Sequence, residues 1–179
     1  FAMPDYRRAF VPGGTFFFTV VTYRRQPWLV DADARAALHD AIARCRAARP
    51  FVIDALVLMP DHLHAVWTLP PGDTDYSTRW SLIKRTVSVL LADRKRDDWI
   101  NDSKRSHRES TLWQRRFYEH TVRDDADFAR CVDYLHSNPV KHGLVPRVAD
   151  WPWSTFHRYV KSGGYSADWM GDTGEDFGE

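Results

Sequence analysis

Two cysteines in 179 residues, Cys45 and Cys131, cannot build a disulfide framework, so the chain is not a small disulfide-stapled secreted domain. Long apolar runs are also missing. Nothing approaches the roughly 20 residues that a membrane-spanning helix needs. The stretch Thr15–Thr22 follows Arg7 and Arg8 but is short, contains Thr and leads into Tyr23-Arg24-Arg25, so it is expected to be a strand and not a secretion signal. Glycine is scarce, with nine in all. The pair Gly13-Gly14 matches no phosphate-binding loop and is expected to make a turn. Repeats and low-complexity tracts are absent. The chain opens Phe1-Ala2-Met3, with Met3 expected as the natural start.

A strong excess of one charge is missing too, because the net charge is +1. That balance conceals an asymmetry. Tyr165–Glu179 holds Asp168, Asp172, Glu175, Asp176 and Glu179 with no Lys or Arg, and the rest of the chain carries +6. Between Arg79 and Arg116 stand eleven basic residues against five acidic ones. A local basic excess suits a polyanion such as nucleic acid. Eight Trp and ten Phe are first of all core material, and secondly platforms on which bases stack.

The periodicities give the order βαββαβα. Strands are expected over Thr15–Tyr23, Phe51–Met59, His62–Leu69 and Trp113–Val122, and helices over Asp33–Arg46 and Ser77–Arg94. A last helix is capped by Asp124 or Asp125 and is expected to stop near Asn138, since Pro139 disfavours helical geometry in the residue before it. Residues 95–111 are expected to be a loop. The sum is an α+β sandwich of the ferredoxin-like, RRM-like kind, an antiparallel sheet with helices on one face. Residues 1–164 form the domain, and 165–179 an acidic, disordered tail.

Two motifs carry chemistry. In His62-Leu63-His64 the strand period of two sends both imidazoles to one face and Leu63 to the other. Two neutral imidazoles side by side can hold a divalent ion. The companions that other His-x-His metal families need are missing, as Val66 illustrates by standing where a histidine-triad hydrolase would place a third His. The second motif is Tyr134-Leu135-His136-Ser137-Asn138. Helical spacing puts Tyr134 and Asn138 on one face, at the edge of the apolar stripe Phe128, Cys131, Val132 and Leu135.

These segments, together with Tyr6-Arg7-Arg8, VPGGTFFFT from Val11 to Thr19, LMPDHLHAVW from Leu58 to Trp67, WQRRFYEHTVRD from Trp113 to Asp124 and YLHSNPVKHGL from Tyr134 to Leu144, resemble the REP-associated tyrosine transposases. The resemblance covers about residues 4–160. It implies an HUH endonuclease fold and cleavage of single-stranded DNA containing imperfect palindromes, the REP elements, through a 5′-phosphotyrosine intermediate. It implies Tyr134 as nucleophile and His62, His64 and Asn138 as ligands of Mg²⁺ or Mn²⁺. Family members often carry a second Tyr where this chain has Ser137. Arg7, Arg8, Arg79, Lys84, Arg85, Arg115 and Arg116 are the candidate DNA contacts, with the Arg94–Arg96 cluster as a further phosphate track. His120 and His136 are the nearby candidates for a general base. A hairpin-binding module without covalent chemistry and a metal-dependent hydrolytic nuclease are the alternatives. A cytoplasmic, nucleoid-associated protein, monomer or homodimer, with no membrane contact, completes the expectation.

Overall fold

The computed structural model describes residues 11–171, so Arg7 and Arg8 and residues 172–179 lie outside it. Four strands, β1 (Thr15–Val21), β2 (Val52–Leu58), β3 (His62–Thr68) and β4 (Tyr118–Thr121), alternate with α1 (Ala32–Ala48), α2 (Tyr76–Leu90), the single-turn α3 (Asp102–Ser106), α4 (Asp125–Lys141) and α5 (Phe156–Lys161). The sheet order is β2-β3-β1-β4 with every pair antiparallel. This is the split βαβ arrangement of a ferredoxin-like fold.

The expectation of helices on one face needs correction. The helices α1 and α2 cover one face, and α4 covers the other. Residues Phe16, Phe18, Val20, Leu63, Ala65 and Trp67 pack with Leu38, Trp80 and Ile83 in one core. Phe17, Val57, Val66, Cys131, Val132 and Leu135 form the second. The two central strands, β1 and β3, are therefore buried on both sides, which is why TFFFTVV is almost continuously apolar. Trp67 stacks on Trp80 with centroids 4.1 Å apart and takes Phe51 at 4.2 Å. Each such aromatic contributes about 1.5–3 kcal/mol by leaving water.

Three further boundaries differ. The strand expected over Trp113–Val122 is regular only at Tyr118–Thr121, with an isolated bridge from Trp113 to Thr22. The expected loop 95–111 contains α3, capped by the Asn101 side chain accepting from Lys104 N at 2.8 Å. Helix α4 starts as expected, with Asp124 accepting from Asp127 N at 2.8 Å. It does not stop at Asn138, but runs through Pro139 to Lys141. So close to the helix end, Pro139 removes one intrahelical hydrogen bond, and the helix closes a further turn before Gly143 (φ 69°) reverses the chain.

The segment assigned to a disordered tail is docked over its described part. Tyr165 donates to Asp133 and meets Trp169 at 4.4 Å, and Trp169 lies 6.0 Å from Phe156. Gly171 (φ 90°) comes so close to α4 that a Cβ there would sit 2.6 Å from Ser137 Cβ. Tyr165 and Trp169 are half-buried against α4 and α5.

Candidate active site

Alternation along β3 sends Leu63, Ala65 and Trp67 into the α1/α2 core and His62 and His64 toward α4, where both are buried. Their rings are 4.9 Å apart at 77°. Each is anchored through Nδ1. The Asp61 carboxylate accepts from His62 Nδ1 at 2.6 Å. Thr19, directly across the ladder in β1, lies 2.9 Å from His64 Nδ1. The tautomer that donates from Nδ1 leaves the lone pair of each ring on Nε2. The Nε2 of His62 is buried with no hydrogen-bond partner. Burial alone would raise the Asp61 carboxyl, but hydrogen bonds from His62 and from Arg25 at 3.2 Å hold it below the usual carboxylate range.

Helix α4 supplies the facing side. Tyr134, 4% exposed, meets His64 at 5.4 Å and Phe17 at 5.9 Å, both edge-on. Asn138, one turn later, is fully buried. The structure thus brings His62, His64 and Tyr134 together across the β3–α4 interface, with Asn138 on the same helix face. Two imidazoles whose outer nitrogens are fixed, and one of whose inner nitrogens lacks a partner, fit a divalent cation.

Among the described residues, a different group has three side chains at ligand spacing: His120, Asp127 and Cys131. It is a poor cation site. Asp127 already accepts from Arg123, Arg130 and His120 at 3.2 Å or less. Burial would raise its carboxyl, yet these donors hold it far below the usual range. Two guanidinium groups there would repel a metal ion. His120 is thereby committed to Asp127. His136 is held by Thr155 at 2.8 Å among Phe156, Tyr159 and Tyr165, and burial pushes its pKa down to about 3.

The basic residues divide sharply. Arg79 is not a DNA contact: it is 1% exposed and donates to the Asp73 carboxylate and to the carbonyls of Arg49, Pro50 and Asp75. It ties α2 to the end of α1. Lys84 donates to the carbonyls of Gln114 (2.6 Å) and Arg115 (3.2 Å), and Arg115 pairs with Glu109 at 2.9 Å. In the Arg94–Arg96 cluster, Arg94 bridges Asp31 and Asp33, and Arg96 pairs with Asp98. Arg85 and Arg116 are exposed. A groove of about 770 Å³ runs between α2 and residues 95–117, on the face of the sheet away from His62 and His64. Lys84, Arg85, Lys95, Arg108 and Arg115 line it. In its wall Trp80 Nε1, Ser88 Oγ and Trp113 Nε1 are buried without partners.

Four residues around the site escaped sequence reasoning. Asp61 directly precedes His62, so its adjacency was a signal. Thr19 becomes visible only once β1 and β3 are paired in register. Lys141 places Nζ 4.8 Å over the Tyr134 ring, and His142 lies 5.3 Å from His62. Both lie beyond the proline at which the helix was expected to stop.

The family model for IS200-like transposases matches residues 14–138. The chain is 42% identical to the REP-associated tyrosine transposase of Escherichia coli (strain K12) over 170 residues, covering 95% of this chain and 93% of that protein. It is 40% identical to a putative REP-associated tyrosine transposase of Haemophilus influenzae over 177 residues, covering 95% of each. Among solved structures, a REP-associated tyrosine transposase bound to a REP hairpin superposes with a TM-score of 0.85 at 41% identity, covering 99% of this chain and 98% of that one.

Proposed function

This chain belongs to the IS200-like transposase family, and we propose that it cuts and rejoins single-stranded DNA at imperfect palindromes of the REP type, with Tyr134 as the nucleophile. The observation that carries the proposal is the meeting of Tyr134 with the buried His62/His64 pair across the β3–α4 interface. A relative bound to a REP hairpin supports the choice of substrate.

The chemistry is a transesterification. Tyr134 Oη attacks the scissile phosphorus in line, the P–O3′ bond breaks, and a 5′-phosphotyrosyl link forms. The phenol proton passes to water, and the departing oxygen takes one up to become a 3′-OH. The bond energy is kept in the link, so a 3′-OH can reverse the step and join strands without ATP. His62, His64 and Asn138 would hold a divalent cation, Mg²⁺ or Mn²⁺, through Nε2, Nε2 and Oδ1. When bound, it supplies Lewis-acid polarisation of the scissile phosphate. Asp61 and Thr19 keep both rings turned for that task. Phe17 and Phe18, neighbours on β1, wall the site from one side and brace the opposite core from the other.

The hairpin is assigned to the basic groove on the α2 face, with Lys84, Arg85 and Arg115 along its course, the exposed Arg116 beside them in sequence, and Arg7 and Arg8 as further contacts outside the described residues. Phosphate contacts there position the DNA, and base contacts specify it. The activity resides in residues 1–164, with 165–179 as an acidic extension, in a cytoplasmic protein that works at the nucleoid. No described helix is long and apolar enough to cross a membrane.

The test is incubation with single-stranded REP hairpin labelled at both ends and Mn²⁺, followed by a denaturing gel, since the 5′ label follows the released fragment and the 3′ label the adduct. Wild type should give cleaved DNA and a protein–DNA adduct that mass spectrometry places on the Tyr134 peptide. Tyr134→Phe should bind DNA and give neither product. Cleavage without any adduct would identify a hydrolytic nuclease, and binding without cleavage a recognition module.

A further inference from the structure

Helix α4 continues one turn beyond the point where its sequence suggested it would end, and that turn brings a cation to Tyr134. Positions 134, 138 and 141 follow the i, i+4, i+7 spacing of a single helix face. Had α4 stopped before Pro139, the side chain of Lys141 would have had no fixed relation to the phenol. Instead its ammonium lies 4.8 Å from the centroid of the Tyr134 ring, while the ring is bounded edge-on by His64 and Phe17. Tyr134 is buried and Lys141 exposed, so the charge reaches the ring from the solvent side.

We propose that Lys141 is a positioning residue for the nucleophile, holding the Tyr134 ring in its reactive orientation and complementing the negative charge that gathers on the phenolic oxygen when the phosphotyrosyl bond is made and broken. The physical reason is differential. A cation over an aromatic face is attracted by the ring quadrupole, and the attraction grows as the ring takes on phenolate character. An interaction stronger in the transition state than in the resting enzyme lowers the barrier, whereas equal attraction to both would not. The plainer role for a lysine in the last turn is to complement the helix dipole. That role would act on stability and leave the chemical step untouched.

The inference rests on Tyr134 being the nucleophile, and the two ideas fail separately. If Tyr134→Phe still cleaves, the nucleophile is misassigned whatever Lys141 does. The decisive measurement uses the full chain with a REP hairpin and Mn²⁺, under single-turnover conditions, comparing Lys141→Met and Lys141→Arg with wild type. Lys141→Met should slow adduct formation on Tyr134 by about tenfold or more, with DNA and Mn²⁺ affinity changed less than about threefold, and Lys141→Arg should recover most of the rate. An unchanged rate in Lys141→Met would overturn the proposal. So would a rate loss wholly matched by lost DNA affinity, which marks a plain phosphate contact, or a Lys141→Arg enzyme as slow as Lys141→Met.

Discussion

The two faces of the sheet are made by the same strands and do opposite work. On the α1/α2 face the strands present Phe16, Phe18, Val20, Leu63, Ala65 and Trp67. On the α4 face the neighbours of those residues are Phe17, Thr19, Val21, His62, His64 and Val66. Both faces are buried, yet the imidazole pair and the Asn138 amide lie on only one of them. Burying polar groups costs free energy unless each finds a partner. On the α4 side Asp61 and Thr19 meet that cost in part for the imidazoles, while on the other side Asp73 meets it for Arg79 within a core of aromatic packing.

Substitutions should separate the faces. The largest effect is expected from His64→Ala: cleavage should fall to background and Mn²⁺ affinity should drop more than about 100-fold, while the fold persists. Titrating Mn²⁺ by calorimetry checks this, and cleavage by His64→Ala after chelator treatment would break the division. On the opposite face Trp67→Ala should cost about 3–5 kcal/mol in urea unfolding, because it leaves a cavity between Trp80 and Phe51. Arg79→Gln should cost about 3 kcal/mol by stranding Asp73 and three carbonyls, and leave the salt dependence of DNA binding unchanged. Arg85→Gln should do the reverse, holding stability within about 0.5 kcal/mol and flattening the log–log salt slope by about 0.7. Thr19→Val, a change of one atom group on the α4 face, should weaken Mn²⁺ about tenfold by freeing the His64 ring.

The smallest effect concerns acid. The Asp127 carboxyl, held below its usual range by Arg123, Arg130 and His120 against the opposing pull of burial, stabilises the start of α4 above the unfolded carboxylate value. That contribution should be lost as pH falls below about 4 toward the depressed folded value. Asp127→Asn should flatten the acid limb of the stability curve. An unaltered limb would place the acid sensitivity elsewhere.

Much of this was legible in the sequence, and the limits are physical. A period of two put His62 and His64 together, and a period of 3.6 put Tyr134 near Asn138, because both follow from local backbone geometry. Arg79 and Arg85 could not be told apart. They stand six positions apart on one helix, and only the fold shows that carbonyls from the end of α1 surround the first. The face occupied by α4 is a matter of topology, which no helical period encodes. Pro139 misled for a related reason: the rule describes an average cost, and near a helix end the cost is a single hydrogen bond that a buried helix can bear.

The contact between Ser137 and Gly171 ties two distant stretches of chain into one unit of inheritance. With a glycine Cα lying against a serine and no room for another carbon, neither position can enlarge alone. A tyrosine at 137 would have to be accompanied by a rerouted C-terminal segment. Among homologues the size of the residue before Asn138 should therefore track the path of the C-terminus, and chimeras that exchange one without the other should lose the docking of Tyr165 and Trp169.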